Sequence, residues 1–200
     1  SSSANEDTLE GVGARTLTIS GLDADYNAVT ETLNLQGKIA VSSSNNLIAI
    51  NDAFVATGGP RQQSGSLSLY LSGSTTSLLI GNIDNEHRRL MQTHYTVPAG
   101  NKAYLQNVTC NIAVTSSAVE FAIFQRPSGS IYRSSTINTT FGEAIITNTD
   151  SSIEFDEKTE IDLRIKSLGS TGIASGQFSL ILVSSSNIPV EPARIEGFLL

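Results

Sequence analysis

Apolar residues along this chain recur at every second position, in short runs. Over residues 159–167, Ile161, Leu163 and Ile165 fall on one side while Glu160, Asp162, Arg164 and Lys166 fall on the other. That period describes a strand with one buried and one wet face. Residues 66–72 alternate Leu67, Leu69 and Leu71 with Ser68, Tyr70 and Ser72, and residues 15–20 alternate Leu17 and Ile19 with hydroxyl residues. In residues 176–183, Phe178, Leu180 and Leu182 share one face and Ile181 and Val183 the other, which predicts a strand buried on both faces or set against a neighbour. Further strands are predicted at 29–35, 38–42, 47–56, 77–83, 92–97, 104–114, 118–127, 130–133 and 143–148. No helical period persists for the 10–12 residues that a globular helix needs. Strands at 8–12-residue spacing with Gly, Pro and Asx turns between them predict an all-β fold. The architecture expected is an antiparallel β-sandwich, jelly-roll-like, over residues 14–183. Residues 1–13 are polar and acidic and read as a flexible N-terminal arm, and 184–200, fixed by Pro189 and Pro192, as an extended C-terminal arm.

Composition changes this picture in a few places. The chain has 200 residues, 39% of them apolar, and no Trp, so its core must be built from Val, Ile, Leu and Phe. Twelve basic against 19 acidic residues leave a net charge of −7. Nucleic acids and anionic membranes are recognised by clustered Lys and Arg, and the one tight basic pair is Arg88-Arg89, without interleaved aromatics. No nucleic-acid or membrane partner is expected, and no apolar run approaches a membrane span. The single cysteine, Cys110, excludes an intrachain disulfide and reads as a small strand residue. The opening SSSANEDTLEG has neither a signal-peptide pattern nor an initiator Met, which fits numbering from a processed start.

Candidate chemistry is sparse. Asp23, Asp25 and Asn27 occupy the first three ligand positions of an EF-hand loop, but position six is Ala28 and position twelve is Asn34. An Asx-capped turn is the expectation, with weak calcium binding the alternative. His87 sits in the charged run 84–89, which predicts a short helical turn or an exposed loop, and His94 sits in a strand. Their spacing fits neither a zinc motif nor a catalytic triad. The acidic run from Glu154 to Asp162 contains Glu157 and Glu160, which could form a glycosidase pair, but a solvated strand face explains them more simply. No hydrolase, zinc-protease or phosphate-loop signature is present. No enzyme activity and no cofactor are expected. In YTVPAGNKAYL, Pro98, Gly100 and Asn101 predict a tight turn, with Lys102 a solvated tip.

The segments TLTISGLDADYNAVTETLNLQG, NNLIAINDAFVATGG, YTVPAGNKAYL, FDEKTEIDLRI and FSLILV, in this order, resemble β-rich virion structural proteins of tailed bacteriophages, of marine and cyanobacterial type. The resemblance runs from Thr16 to Val183 and excludes both tails. It implies a non-enzymatic virion component: a capsid decoration (cement) protein, or a tail- or vertex-associated subunit that binds other virion proteins. The alternative is a receptor- or glycan-binding module of a tail fibre, which would need exposed aromatics near loops such as 58–64 or 127–133. The apolar terminus Phe198, Leu199 and Leu200 is the candidate subunit contact, and points to a homo-oligomer, with a trimer as the candidate state.

Overall fold

The computed structural model describes residues 1–71, 78–112, 119–140, 144–147, 153–167 and 174–186. Among them there is no helix, and every sheet is antiparallel. The chain divides into two compact units, Ser1–Met91 and Gln92–Leu200, where the sequence pattern predicts one domain over 14–183.

The first unit holds β1 (Ala14–Leu22), β2 (Ala28–Asn34), β3 (Ala49–Gly58), β4 (Leu67–Leu71) and β5 (Leu78–Ile83). β1 is the centre of a three-stranded sheet in the order β2-β1-β3, and β4 and β5 form a two-stranded hairpin. Leu17 and Ile19 of β1 enter one apolar cluster with Ala53, Leu67, Leu69 and Ile83. Away from that cluster the strands carry a ladder of hydroxyl pairs, Thr16 with Thr57, Thr18 with Thr32 and Ser20 with Thr30, at 2.6–3.2 Å. Cross-strand hydroxyl pairs of this kind stabilise a wet sheet face without apolar bulk. Residues 38–42 form no strand: Ile39 makes an isolated bridge back to Gln36 and is largely exposed.

The N-terminal segment is not a free arm. Ser2 bridges Leu67, Thr8 bridges Gln36, and the Asp7 side chain is fully buried. The Asp7 carboxylate accepts hydrogen bonds from the Ser2 hydroxyl and from the backbone N–H groups of Ala14, Ser64 and Gly65, at 2.5–2.9 Å. A buried carboxylate is tolerated because its oxygens are met by fixed donors.

The second unit holds β6 (His94–Thr96), β7 (Asn101–Ile112), β8 (Val119–Arg126), β9 (Arg133–Thr140), β10 (Ala144–Thr147), β11 (Glu154–Phe155), β12 (Glu160–Ser167) and β13 (Ala174–Ser184). One sheet runs β6-β12-β8-β9. In the other, β7 is central, with β13 on one edge and β10 followed by β11 on the other. Tyr95, Phe121, Ile123, Ile161 and Leu163 of the first sheet share a cluster with Leu105, Val108, Cys110, Phe155, Phe178, Leu180 and Leu182 of the second. β12 has the predicted alternation, with Ile161 and Leu163 buried and Arg164 and Lys166 exposed. On β13, Phe178, Leu180 and Leu182 are buried while Ile181 and Val183 are half-buried. The polar strand β9 starts where the predicted run 130–133 ends, after a turn at Ser128 and Gly129. Phe198, Leu199 and Leu200, with most of the expected arm 184–200, lie outside the described residues.

Candidate functional site

The corner at Pro98 is a turn, as its residues predict. The Asn101 N–H donates to the Pro98 carbonyl at 3.3 Å, and Gly100 has φ of +72°, the left-handed conformation that glycine adopts without strain. Glu157 holds this turn through its carboxylate, which accepts from the Gly100 N–H at 2.5 Å. Lys102 is solvent-exposed at its side chain, as expected, but is not at the tip. It belongs to β7 and bonds Glu154, with Asp156 3.4 Å away, and these contacts hold its ammonium above the ordinary lysine range.

The rest of the acidic run is likewise divided among separate partners. Glu160 accepts from the Arg126 guanidinium and from the Tyr132 hydroxyl. Partial burial opposes its ionisation, but those two hydrogen bonds prevail and keep its carboxyl below the usual range. Asp162 accepts from Arg164 Nε at 2.7 Å. The Arg126 and Arg164 guanidinium carbons each lie 4.8 Å from the centre of the Tyr132 ring, and Arg164 is equally close to Phe124. Burial lowers the His94 pKa, opposed chiefly by the nearby Asp162, and burial with the Glu160 contact pushes Tyr132 up to about 12. Glu160 is held by Arg126 and Tyr132 and Glu157 by the Gly100 N–H, so the two do not form a free acid–base pair.

The Asp23 loop joins β1 to β2 as an Asx-capped turn. Oδ1 of Asp23 accepts from the N–H groups of Asp25 and Asn27, both at 2.9 Å, and Oδ2 from the Asn27 amide at 3.2 Å. These bonds, that from the Asn27 N–H foremost, hold the Asp23 carboxyl below its ordinary value. His87 is engaged by Asp84, whose carboxylate also caps the N–H groups of Glu86 and His87. Cys110 is buried in the core, where desolvation pushes its thiol up to about 11. A thiol so placed has little thiolate to offer as a nucleophile.

Two features of the first unit remain without an internal partner. The hairpin β4–β5 carries Tyr70, Leu71, Leu78, Leu79 and Ile80, each between 46% and 58% exposed. Tyr70 pairs with Leu79 and Leu71 with Leu78, so both faces at this end of the hairpin are apolar. The sequence shows the Leu67–Leu69–Leu71 alternation but not that the hairpin projects its far end beyond the core. The second feature is a groove of about 500 Å³ lined by Phe54, Gly58, Gln62, His87, Arg88 and Arg89, among others. Its signals in the sequence are the lone basic pair and the Gly-Gly-Pro break four residues after Phe54.

No family model matches the chain, and no curated protein or solved structure matches it either.

Proposed function

We propose that the chain is a non-enzymatic structural subunit of a tailed-phage virion, a capsid decoration (cement) protein or a tail- or vertex-associated subunit, that binds other virion proteins and copies of itself. The apolar end of the β4–β5 hairpin carries this reading. Five neighbouring large side chains about half exposed form the kind of surface that monomeric proteins avoid and that protein interfaces use. Charged residues, which would keep such a hairpin in water, are absent from both strands.

The topology of the second unit supports the same reading. In chain order its strands alternate between the two sheets, except that β8 and β9 are neighbours in one sheet and β10 and β11 continue each other along one edge of β7. With the two sheets contributing to one core, this order supports reading the unit as a jelly-roll sandwich that lacks the first of eight strands. Jelly rolls serve both capsid subunits and sugar-binding domains, so the fold supports an assembly role by analogy only. The pairing of the acidic run with Lys102, Arg126 and Arg164 favours a scaffold over a hydrolase.

Immuno-electron microscopy of purified phage particles tests the reading, with regular labelling of head, neck or tail expected. Replacing Leu78 and Leu79 together by Ser should leave the far-ultraviolet spectrum unchanged and abolish incorporation. A protein absent from particles overturns the reading.

The receptor- or glycan-binding alternative is favoured by one observation. Phe54, 37% exposed, lines a groove beside Gly58 and Gln62, the loop region where an exposed aromatic is required.

A further inference from the structure

We propose that the groove beside β3 binds a small sugar acid, with Arg88 receiving its carboxylate and Phe54 the apolar face of its ring. The inference rests on the glycan-binding reading and adds to it a charge requirement.

Both rims of the groove are held by backbone contacts. Residues 88–90 lie along the edge of β3 opposite β1: the Val55 N–H donates to the Arg88 carbonyl at 2.9 Å, and the Leu90 N–H to the Ala53 carbonyl at 2.7 Å. Arg88, at the start of this segment, has φ of +58° and closes the turn from Asp84, whose carbonyl accepts from the Arg88 N–H at 3.1 Å. The opposite rim is the loop after β3. A Cβ on Gly58 would lie 2.5 Å from the Gln62 carbonyl oxygen and 2.7 Å from its Cα, so glycine is what lets that loop close over the strand. A volume of about 500 Å³ is ample for one or two sugar rings.

The charges lining the groove leave one cation over. Arg89 is committed, its Nε and Nη2 on the two oxygens of Asp52 at 3.0 and 2.9 Å. His87 is held by Asp84. Among the described residues Arg88 has no ion-pair partner. In a chain with 19 acidic and 12 basic residues, a cation left over in a concave site marks a place for an anion from outside. The planar guanidinium fork matches a carboxylate with two parallel hydrogen bonds. A single unpaired cation suits a monoanion better than a phosphate dianion. The exposed Phe54 ring offers a flat apolar surface, which a sugar ring can cover and a bare inorganic anion cannot.

The test is a ¹⁵N-NMR titration of the full chain with sodium glucuronate, glucose and inorganic phosphate as probes. Glucuronate should move the amides of Phe54, Gln62 and Arg88, binding at least tenfold more tightly than glucose or phosphate. Arg88→Asn, a residue that accepts the same backbone conformation, should reduce glucuronate to the level of glucose. Phe54→Ala should weaken both sugars about fivefold or more. Equal binding of both sugars, unaffected by Arg88→Asn, overturns the sugar-acid inference and leaves glycan binding standing. Phosphate binding as tightly as glucuronate overturns it in favour of a general anion site. No shift with either sugar overturns both.

Discussion

Replacing Asp7 by Ala should destabilise the first unit more than any other single polar substitution near the N-terminus. The carboxylate accepts four hydrogen bonds while fully buried, and three come from backbone N–H groups that cannot turn elsewhere. An orphaned buried donor costs about 1–3 kcal/mol, so three set a ceiling of roughly 9 kcal/mol. The Ser64 N–H is only partly buried and water can enter the vacated space, which brings the expected loss to about 3–5 kcal/mol. Asp7→Asn should be milder but still costly, because whichever way the amide is turned its NH₂ faces at least one N–H donor.

Urea unfolding followed by far-ultraviolet circular dichroism gives the loss, and hydrogen exchange at the Gly65 amide locates it. Gly13 supplies an independent probe of the same network, since a Cβ there would lie 2.1 Å from Asp7 Oδ1. Gly13→Ala should therefore destabilise strongly, and the double variant with Asp7→Ala should cost much less than the sum of the two. A loss below about 1 kcal/mol for Asp7→Ala, or unchanged exchange at Gly65, would refute the claim that this network holds the segment in place.

Two further outcomes follow from local geometry. A Cβ on Gly100 would meet no atom within 4 Å, so Gly100→Ala should cost only the left-handed backbone penalty, about 1 kcal/mol, and Gly100→Asn less, read as the fall in melting temperature. A loss of several kcal/mol would mean that the site is crowded. Glu31 is bonded by the Ser43 hydroxyl and then by the Ser44 N–H and hydroxyl and the Asn45 amide, which hold its carboxyl at about 2 against an ordinary 4.5. Because the folded value is the lower one, these bonds stabilise the fold above pH 4.5 and their contribution fades as the pH falls towards 2. The stability difference between the native chain and Glu31→Gln should shrink across that window, modestly because the site is exposed to solvent; a constant difference would count against it.

Strand patterns were legible wherever one face is wet. β12 could be read residue by residue because Glu160, Asp162, Arg164 and Lys166 alternate with apolar partners. β7 could not, since its inward residues are Ala103 and Leu105, then Val108 and Cys110. The register against β13 shifts there, leaving Gln106 as an extra residue that inverts the parity. β9 is hard to place from sequence because Ser, Thr and Asn dominate it, and a strand without apolar alternation gives no periodic signal. Residues 38–42 mislead for the opposite reason: Ile39 and Val41 alternate with Lys38, Ala40 and Ser42, but no strand forms there and Ile39 makes only an isolated bridge to Gln36. Turn chemistry was more reliable, because Gly100 and Asp23 act within a few residues of themselves.

The N-terminal segment shows where such reading stops. Asp7 lies in a polar, acidic stretch that by composition alone reads as disordered. Its partners Ser64 and Gly65 are 57 and 58 residues away, so no local window contains the information. Closing so long a loop costs entropy that the segment's few apolar contacts do not offset by themselves. Four directed hydrogen bonds to one buried carboxylate do, and they require a charge where pattern reading expects a hydrophobe. The groove has the same logic in reverse. Phe54 and Arg88 are 34 residues apart and ordinary in sequence, and only the pairing of residues 88–90 along β3 brings them to one cavity. Asp7 breaks the local rule and is explained by distant partners already in place, whereas the groove residues are ordinary in sequence and meet only through the fold.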